Sequence, residues 1–486
     1  PDGSAGPVGG IVQKMEGAKA AGLRRFGFPA GTRTCKDERS GVMTDLLAKG
    51  RELGLEVKEL ADLYEAYQFM TGSALPRPTP LTDGDMALSP ETLAPLTALV
   101  EHWRQRLSDG LAALGAELPK QSRDAGKALS EARAPFEAAQ ALQNQGQLAA
   151  ALEGYVRGSV ALSLRQRATA VARLIEGAQY DKLLATLRAA GAVEAEVLAL
   201  ERELQLRAQD TTRGGQVAAA DAYARQVTAS AAVAIGKEQQ AQAEERLKAY
   251  RSGKSRGPQA LQDLLSSLVL PLVMYDVANT YVDYARDLLG LVRNEGKTEP
   301  MSEAALAREV AGYTSGGAAV LAYFDALILD AAADQTGQSP AAVRARFAEH
   351  EPEYLIARKA NELAEFASGA SATPGSRLMR LSAAALAYLS GARFVNEYYA
   401  LGAHRTAEGK LLIEQGGSLG MQLQAARRNA LISASSARTV AGFVPTPARL
   451  AYQSGVALQA GTDEERLAAL SYFWQAGLWC DLVAAN

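Results

Sequence analysis

Ser73–Pro90 reads SALPRPTPLTDGDMALSP, and the texture of the chain changes across it. Pro76, Pro78, Pro80 and Pro90 fix φ and withhold backbone donors, while Thr-Asp-Gly-Asp at 82–85 is turn chemistry. Neither helix nor sheet propagates through such a stretch, so 73–90 is expected to be a linker. Before it, Gly-rich turns, a short apolar run RRFGFPAG (24–31), a helix-like VMTDLLAKGRELG (42–54) and a strand-like LEVKEL (55–60) alternate as in α/β structure. After it, Ala, Leu, Gln, Glu and Arg recur with apolar residues three and four apart and almost no β-branched runs, the pattern of amphipathic helices. The expected architecture is mainly α: a small α/β unit over 1–72, the linker, and an all-helical region over 91–486 with a break near 252–258.

Within the helical region, SRGP (255–258), NEGKTEP (294–300), TGQSP (336–340) and SATPGS (371–376) mark helix ends, and 190–250 suits an extended helical hairpin. A small residue and a Tyr recur four apart after a turn, as Ala151 and Tyr155, Ala468 and Tyr472, and Ala384 and Tyr388. That spacing lets helices pair closely, as in tetratricopeptide-like hairpins, although the evenly spaced consensus of a regular array is missing. LLSSLVLPLVMY (264–275) and GGAAVLAYFDALILDAAA (316–333) are interrupted by Pro271, Asp325 and Asp330 and are expected to be buried helices, since a membrane span takes about 20 apolar residues.

At 486 residues, 48% hydrophobic and 22% charged, the chain has the composition of a globular protein of several cores. A net charge of -3 with basic and acidic residues interspersed supplies no field for phosphates, which argues against a nucleic-acid partner. Cys35 and Cys480 are too few for a disulfide framework or a zinc site, and His102, His350 and His404 are too scattered for a metal cluster; Cys480 suits a buried position. SGKS at 252–255 is a near miss for a phosphate loop, because Lys248 stands where the motif needs Gly. Tyr275, Tyr281, Tyr284, Tyr313 and Tyr323, near Asp276, Asp283 and Asp287, are candidates for a groove that takes an extended peptide.

The chemistry is concentrated at the start. Pro1 is not a translation start, so the chain is expected to be the C-terminal part of a longer product. PDGS is a turn, GPVGGI enters with two glycines that permit close backbone approach, and VQKMEGAKAAG begins a helix with Lys14 in its first turn. An amine beside the positive end of a helix dipole and out of water favours its neutral form, the form a general base needs. A crowded lysine of this kind is what a Ser/Lys dyad uses.

PDGSAGPVGGIVQK, EGAKAAGLRRFGFPAG and LAKGRELGLEVKELADLYEAYQFMTG together resemble the second half of a Lon-type peptidase domain. Gly9, Gly10 and Lys14 match its Gly-Gly-x-x-x-Lys motif, Phe28-Pro29 its strand end, and Leu55-Glu56-Val57 with Tyr64-Glu65-Ala66 its closing strand and helix. The resemblance runs to Gly72. It implies a serine endopeptidase with Lys14 as catalytic base, Gly9 and Gly10 supporting it, no cofactor and no metal. The family's serine lies about forty residues before its lysine, upstream of Pro1; Ser4 in DGSAG belongs to the turn and is too near Lys14. The helical extension, absent from Lon itself, and the lack of a visible ATPase are similar to Lon-like proteases of archaea and bacteria, some of them exported, which points to the cell envelope with the cytoplasm as alternative. Implied partners are unfolded or extended protein, the segment or chain completing the domain, and further copies of the chain. The alternative is a noncatalytic helical scaffold carrying a degenerate peptidase domain.

Overall fold

A computed structural model of the chain describes residues 8–37, 39–118, 123–209, 212–254, 257–291, 295, 299–366, 373–406 and 410–485, without the side chains of 36, 123–125, 350 and 366. The chain begins with α1 (Ile11–Ala20), β1 (Arg25–Pro29), β2 (Thr34–Lys36), β3 (Met43–Asp45), α2 (Leu46–Leu53), β4 (Glu56–Leu60) and α3 (Leu63–Thr71). Helices follow: α4 (Pro90–Glu117), α5 (Arg123–Asn144), α6 (Leu148–Glu176), α7 (Tyr180–Ala190), α8 (Val193–Arg207), α9 (Arg213–Arg251) and α10 (Pro258–Leu291). Then come α11 (Glu303–Phe324), α12 (Ala331–Thr336), α13 (Pro340–His350), α14 (Pro352–Phe366) and α15 (Pro374–Phe394). A β-hairpin of β5 (Ala403–Arg405) and β6 (Leu411–Ile413) precedes α16 (Gly416–Ala441), α17 (Thr446–Leu458) and α18 (Asp463–Ala484). The protein is mainly helical, and beyond residue 90 the described strands amount to that one hairpin.

Contacts divide the chain into one unit of 1–87, 315–349 and 388–485 and another of 88–314 and 350–387. In the first, β1 and β4 pair in parallel from Arg25↔Glu56 to Pro29↔Leu60, and β2 and β3 form an antiparallel hairpin. Asp45 caps α2 by accepting from Ala48 N at 3.0 Å, and Asp62 caps α3 by accepting from Glu65 N at 2.9 Å. Ile11, Val12, Met15, Phe28, Leu46 and Leu55 make a small core between α1, α2 and the strands. Among the described residues β1 and β4 pair only with each other. Val8, Leu23, Val42, Met43, Leu63, Tyr67 and Met70 remain exposed, as many large apolar side chains as stay exposed in all the described chain after them. Leu63, Tyr67 and Met70 form a stripe at helical spacing on α3.

The stretch 73–90 is no free spacer. Leu81 and Met86 are buried, and Leu81 N donates to Leu431 O at 3.1 Å. Arg77 pairs with Asp62, Asp83 accepts from Arg427 and Tyr452, and Asp85 from Arg438 at 2.8 Å. Arg449 Nη1 reaches the Asp85 and Ala87 carbonyls at 2.6 and 2.5 Å. The prolines extend the chain, and residues of α16 and α17 bind it down. The expected division at 73–90 is therefore cut across: the N-terminal residues share a unit with helices near the C-terminus, because partners hundreds of residues away hold the segment.

In the second unit α8 and α9 form the helical hairpin expected within 190–250, and α9, 39 residues long, also pairs with α10 across the SRGP break in a longer one. Pro271 sits inside α10 without ending it. Two helical runs, Pro258–Leu291 and Glu303–Thr336, are long and apolar enough to cross a membrane. The first is embedded among α6, α8 and α9, with Leu268, Leu272 and Ala278 out of solvent. The second is less covered than expected: it passes through a π-helical segment at Asp325–Asp330 and buries Leu321, Phe324, Leu329 and Ala333, while Ala322 and Tyr323 stay exposed.

The Tyr spacing acts where expected at Tyr155, which is buried at the α5–α6 hairpin and donates to Gln143 Oε1 at 2.7 Å, with Gly154 against Ala139. In the α17–α18 hairpin, close packing comes instead from Gly455 against Phe473, one position beyond Tyr472. Tyr388 packs against Gly316.

Candidate functional site

Gly10 is the N-cap of α1 with φ 62°, ψ 31°, the left-handed region where a Cβ would clash with the neighbouring carbonyl. That turn swings the chain into the helix, whose first bond runs from Lys14 N to Gly10 O at 2.9 Å. Ile11, Val12, Met15 and Ala18 form the buried side, and Lys14 lies at its edge. Lys14 is exposed, and its amine has no hydrogen-bond or ion-pair partner among the described residues. Gly9 and Gly10 are half-buried. The crowded, shielded setting expected for the lysine is not built by the described residues, because one turn after Gly10 the helix leaves that position exposed. Ser4 lies outside the described residues.

Around Lys14 the helix is tied to the β2–β3 hairpin. Gln13 Nε2 donates to Asp37 Oδ1 at 2.5 Å, while Gln13 Oε1 is buried without a partner. The Ser40 hydroxyl, with the Arg39 amide and Gln13, holds the Asp37 carboxyl below its ordinary range. Glu16 bridges Arg39 at 3.5 Å and Lys49 at 3.7 Å. Phe28-Pro29 ends β1, Glu56-Val57 opens β4 and Tyr64-Glu65-Ala66 lies in α3, so these segments follow in the order helix, strand, strand, helix.

The tyrosine groove resolves differently. Tyr275 and Tyr284 are core residues; their hydroxyls donate to Gln240 Oε1 at 2.8 Å and Glu153 Oε1 at 2.7 Å. Burial, reinforced by Glu153, pushes the Tyr284 phenol well up. Tyr281 and Tyr313 are half-buried, and Tyr323 is exposed and belongs to the other unit. The aspartates leave the tyrosines: Asp276 pairs with Arg167 at 2.6 Å, Asp283 with Arg106 at 2.7 Å, and Asp287 accepts from Trp103 Nε1 at 2.9 Å. Burial raises the Asp287 carboxyl. Residues 276, 279, 280, 283 and 287 share one side of α10, a polar stripe at helical spacing in an apolar helix that was open to reading from sequence.

Sequence reasoning missed a charged cluster in the core. Arg225 Nη2 lies 3.3 Å from Glu153 Oε1 and 3.9 Å from Asp221, beneath Tyr284. Its lone guanidinium on an Ala-rich helix carried no motif.

His102 is exposed and packs edge-on against Trp103, His404 is exposed, and the His350 side chain is outside the described residues. Cys480 is fully buried, and burial raises its thiol well above the ordinary value. Ser252-Gly253-Lys254 is the turn that ends α9. Among the described residues no group of three His, Cys, Asp or Glu side chains is placed to hold a metal. No family model matches the chain, no curated protein matches it and no solved structure does.

Proposed function

We propose that this chain is the lysine-bearing part of a Ser/Lys endopeptidase of the Lon type, with Lys14 as general base and the helices handling unfolded substrate or joining copies of the chain. The observation that carries the reading is the Gly9-Gly10 turn, which leads to a Lys14 amine without a partner among the described residues, in a unit whose β1 and β4 pair with no other described strand and whose first 70 residues expose several large apolar side chains. Both features suit a half-domain that a second segment completes. The serine is taken from that segment, either preceding this sequence or on another chain.

In the assembled site the serine Oγ attacks the peptide carbonyl carbon as Lys14 Nζ accepts its proton; Lys14 then protonates the leaving nitrogen as the C–N bond breaks. Water repeats the exchange, giving its proton to Lys14 and its oxygen to the acyl carbon as serine leaves. Backbone amides near the nucleophile stabilise the oxyanion. The test is casein cleavage by the protein as its native cells make it, beside Lys14→Arg. Guanidinium stays protonated and cannot replace the base, so cleavage should fall at least about 100-fold with circular dichroism unchanged. Equal cleavage by both proteins removes Lys14 from the mechanism.

The exposed amine favours a second reading, a scaffold without activity. That reading expects no cleavage by wild type under any condition and no labelling of the assembled protein by a serine-directed fluorophosphonate.

A further inference from the structure

Helices α4, α6 and α10 of the second unit line an open-sided cavity of about 430 Å³. The helices come close where glycines permit it: a Cβ on Gly110 would stand 2.7 Å from Leu162 Cδ2, and one on Gly158 2.7 Å from Leu107 Cδ2. The cavity wall at these crossings is apolar. Apart from Ala170 the rest of its lining is polar, including Arg106, Gln166, Arg167, Asp276, Asn279 and Thr280.

The charges in this lining cancel. Arg167 holds Asp276 with two hydrogen bonds of 2.7 and 2.6 Å, and Arg106 holds Asp283 while stacking on Trp103. Glu117, the other acid in the lining, faces Arg173 at 3.4 Å. A phosphate or a metal ion would find no uncompensated charge. Unpaired hydrogen-bonding capacity is what remains. Thr280 is only 5% exposed as a residue, and its hydroxyl makes no hydrogen bond among the described residues, which leaves it open to a partner in the cavity. The Asn279 amide is unpaired and exposed beside it, and Gln166 spends Nε2 on the Gly110 carbonyl at 3.0 Å while keeping Oε1 free.

We propose that this cavity binds a short extended segment of polypeptide through its main chain. A peptide unit offers one donor and one acceptor, the complement of a side-chain amide, and carries no charge. No aromatic side chain lines the cavity, which disfavours sugars and nucleobases, ligands that stack on rings. The volume lies in the range of about 300–1,000 Å³ that takes small ligands, room for a few residues. Recognition through the main chain tolerates sequence. The inference stands whether or not the chain takes part in cleavage, since binding is read separately.

The probe is a fluorescein-labelled, unstructured peptide of Gly, Ser, Ala and Gln residues, titrated with the 486-residue chain and followed by fluorescence anisotropy. Saturable binding is expected, unchanged when the peptide's residue order is scrambled and weakened about tenfold or more when alternate amides are N-methylated. Asn279→Leu and Thr280→Val should each weaken it about fivefold. The first lies at an exposed position and the second conserves shape, so both keep the fold, as circular dichroism checks. No saturable binding to wild type at millimolar protein overturns the proposal. So does equal binding of the N-methylated peptide, indifference to both substitutions, or maltotriose binding through these side chains in the peptide's place. Lost casein cleavage with intact peptide binding would strike the Lys14 reading alone.

Discussion

Gly10 and Glu153 are positions where a single substitution has a defined physical consequence. Gly10 enters α1 from the left-handed region, so Gly10→Ala should cost about 1–2 kcal/mol and displace the start of the helix that carries Lys14. A thermal melt checks the first part and Lys14-dependent cleavage the second. Glu153 accepts from Tyr284 and faces Arg225. Removing it leaves a partly buried guanidinium whose nearest remaining carboxylate among the described residues is the more distant Asp221, so Glu153→Ala should destabilise the second unit by about 2 kcal/mol. The measurement is urea unfolding; a loss under about 1 kcal/mol would mean that water reaches Arg225.

At the scale of elements, the extended strap of 73–87 depends on carboxylates. Burial works to raise Asp62, but the Glu65 amide, Arg77 and Arg428 hold it below its ordinary value. Arg427 and Tyr452 lower Asp83, and the Thr82 hydroxyl and amide with Arg438 hold Asp85 down to about 2. Because these folded values lie below the unfolded ones, the stabilisation is complete above about pH 4 and is lost as pH falls from there toward about 2. Hydrogen exchange or limited proteolysis across 74–87 should therefore accelerate between pH 4 and 2 before the second unit opens. Asp83→Asn should bring part of that release to neutral pH. The long α9–α10 hairpin packs mainly through Ala, Leu and Val.

For the whole molecule, the contact units set what can fold alone. Residues 1–87 hold a core of six buried side chains, and Leu81, Met86, Asp83 and Asp85 find their partners in α16 and α17. An isolated 1–87 fragment should show no cooperative melt by circular dichroism, since a small core rarely outweighs chain entropy. Joined to 388–485 it should regain protection of the strap amides. A stable, cooperative 1–87 would place its stability in local packing instead.

Sequence alone determined the helical nature of the region beyond residue 90, the break before Pro258 and, before Gly72, the helix that carries Lys14, the helix at Leu46–Leu53 and the strand at Glu56–Leu60, because period, prolines and capping residues act within a few neighbours; the Thr34–Lys36 and Met43–Asp45 hairpin was not legible in it. It also singled out Lys14, whose glycines announce a special turn. It could not say that Lys14 is exposed, since the buried side of α1 is chosen by Phe28, Leu46 and Leu55 packing against it. Nor could it divide the tyrosines of α10 from its aspartates, or reveal that Asn279 and Thr280 line a cavity. Those depend on α4 and α6, more than a hundred residues away, and on glycines that let them approach. The strap misled for the same reason: its prolines describe the local chain, and only the distant arginines of α16 and α17 decide that it is bound.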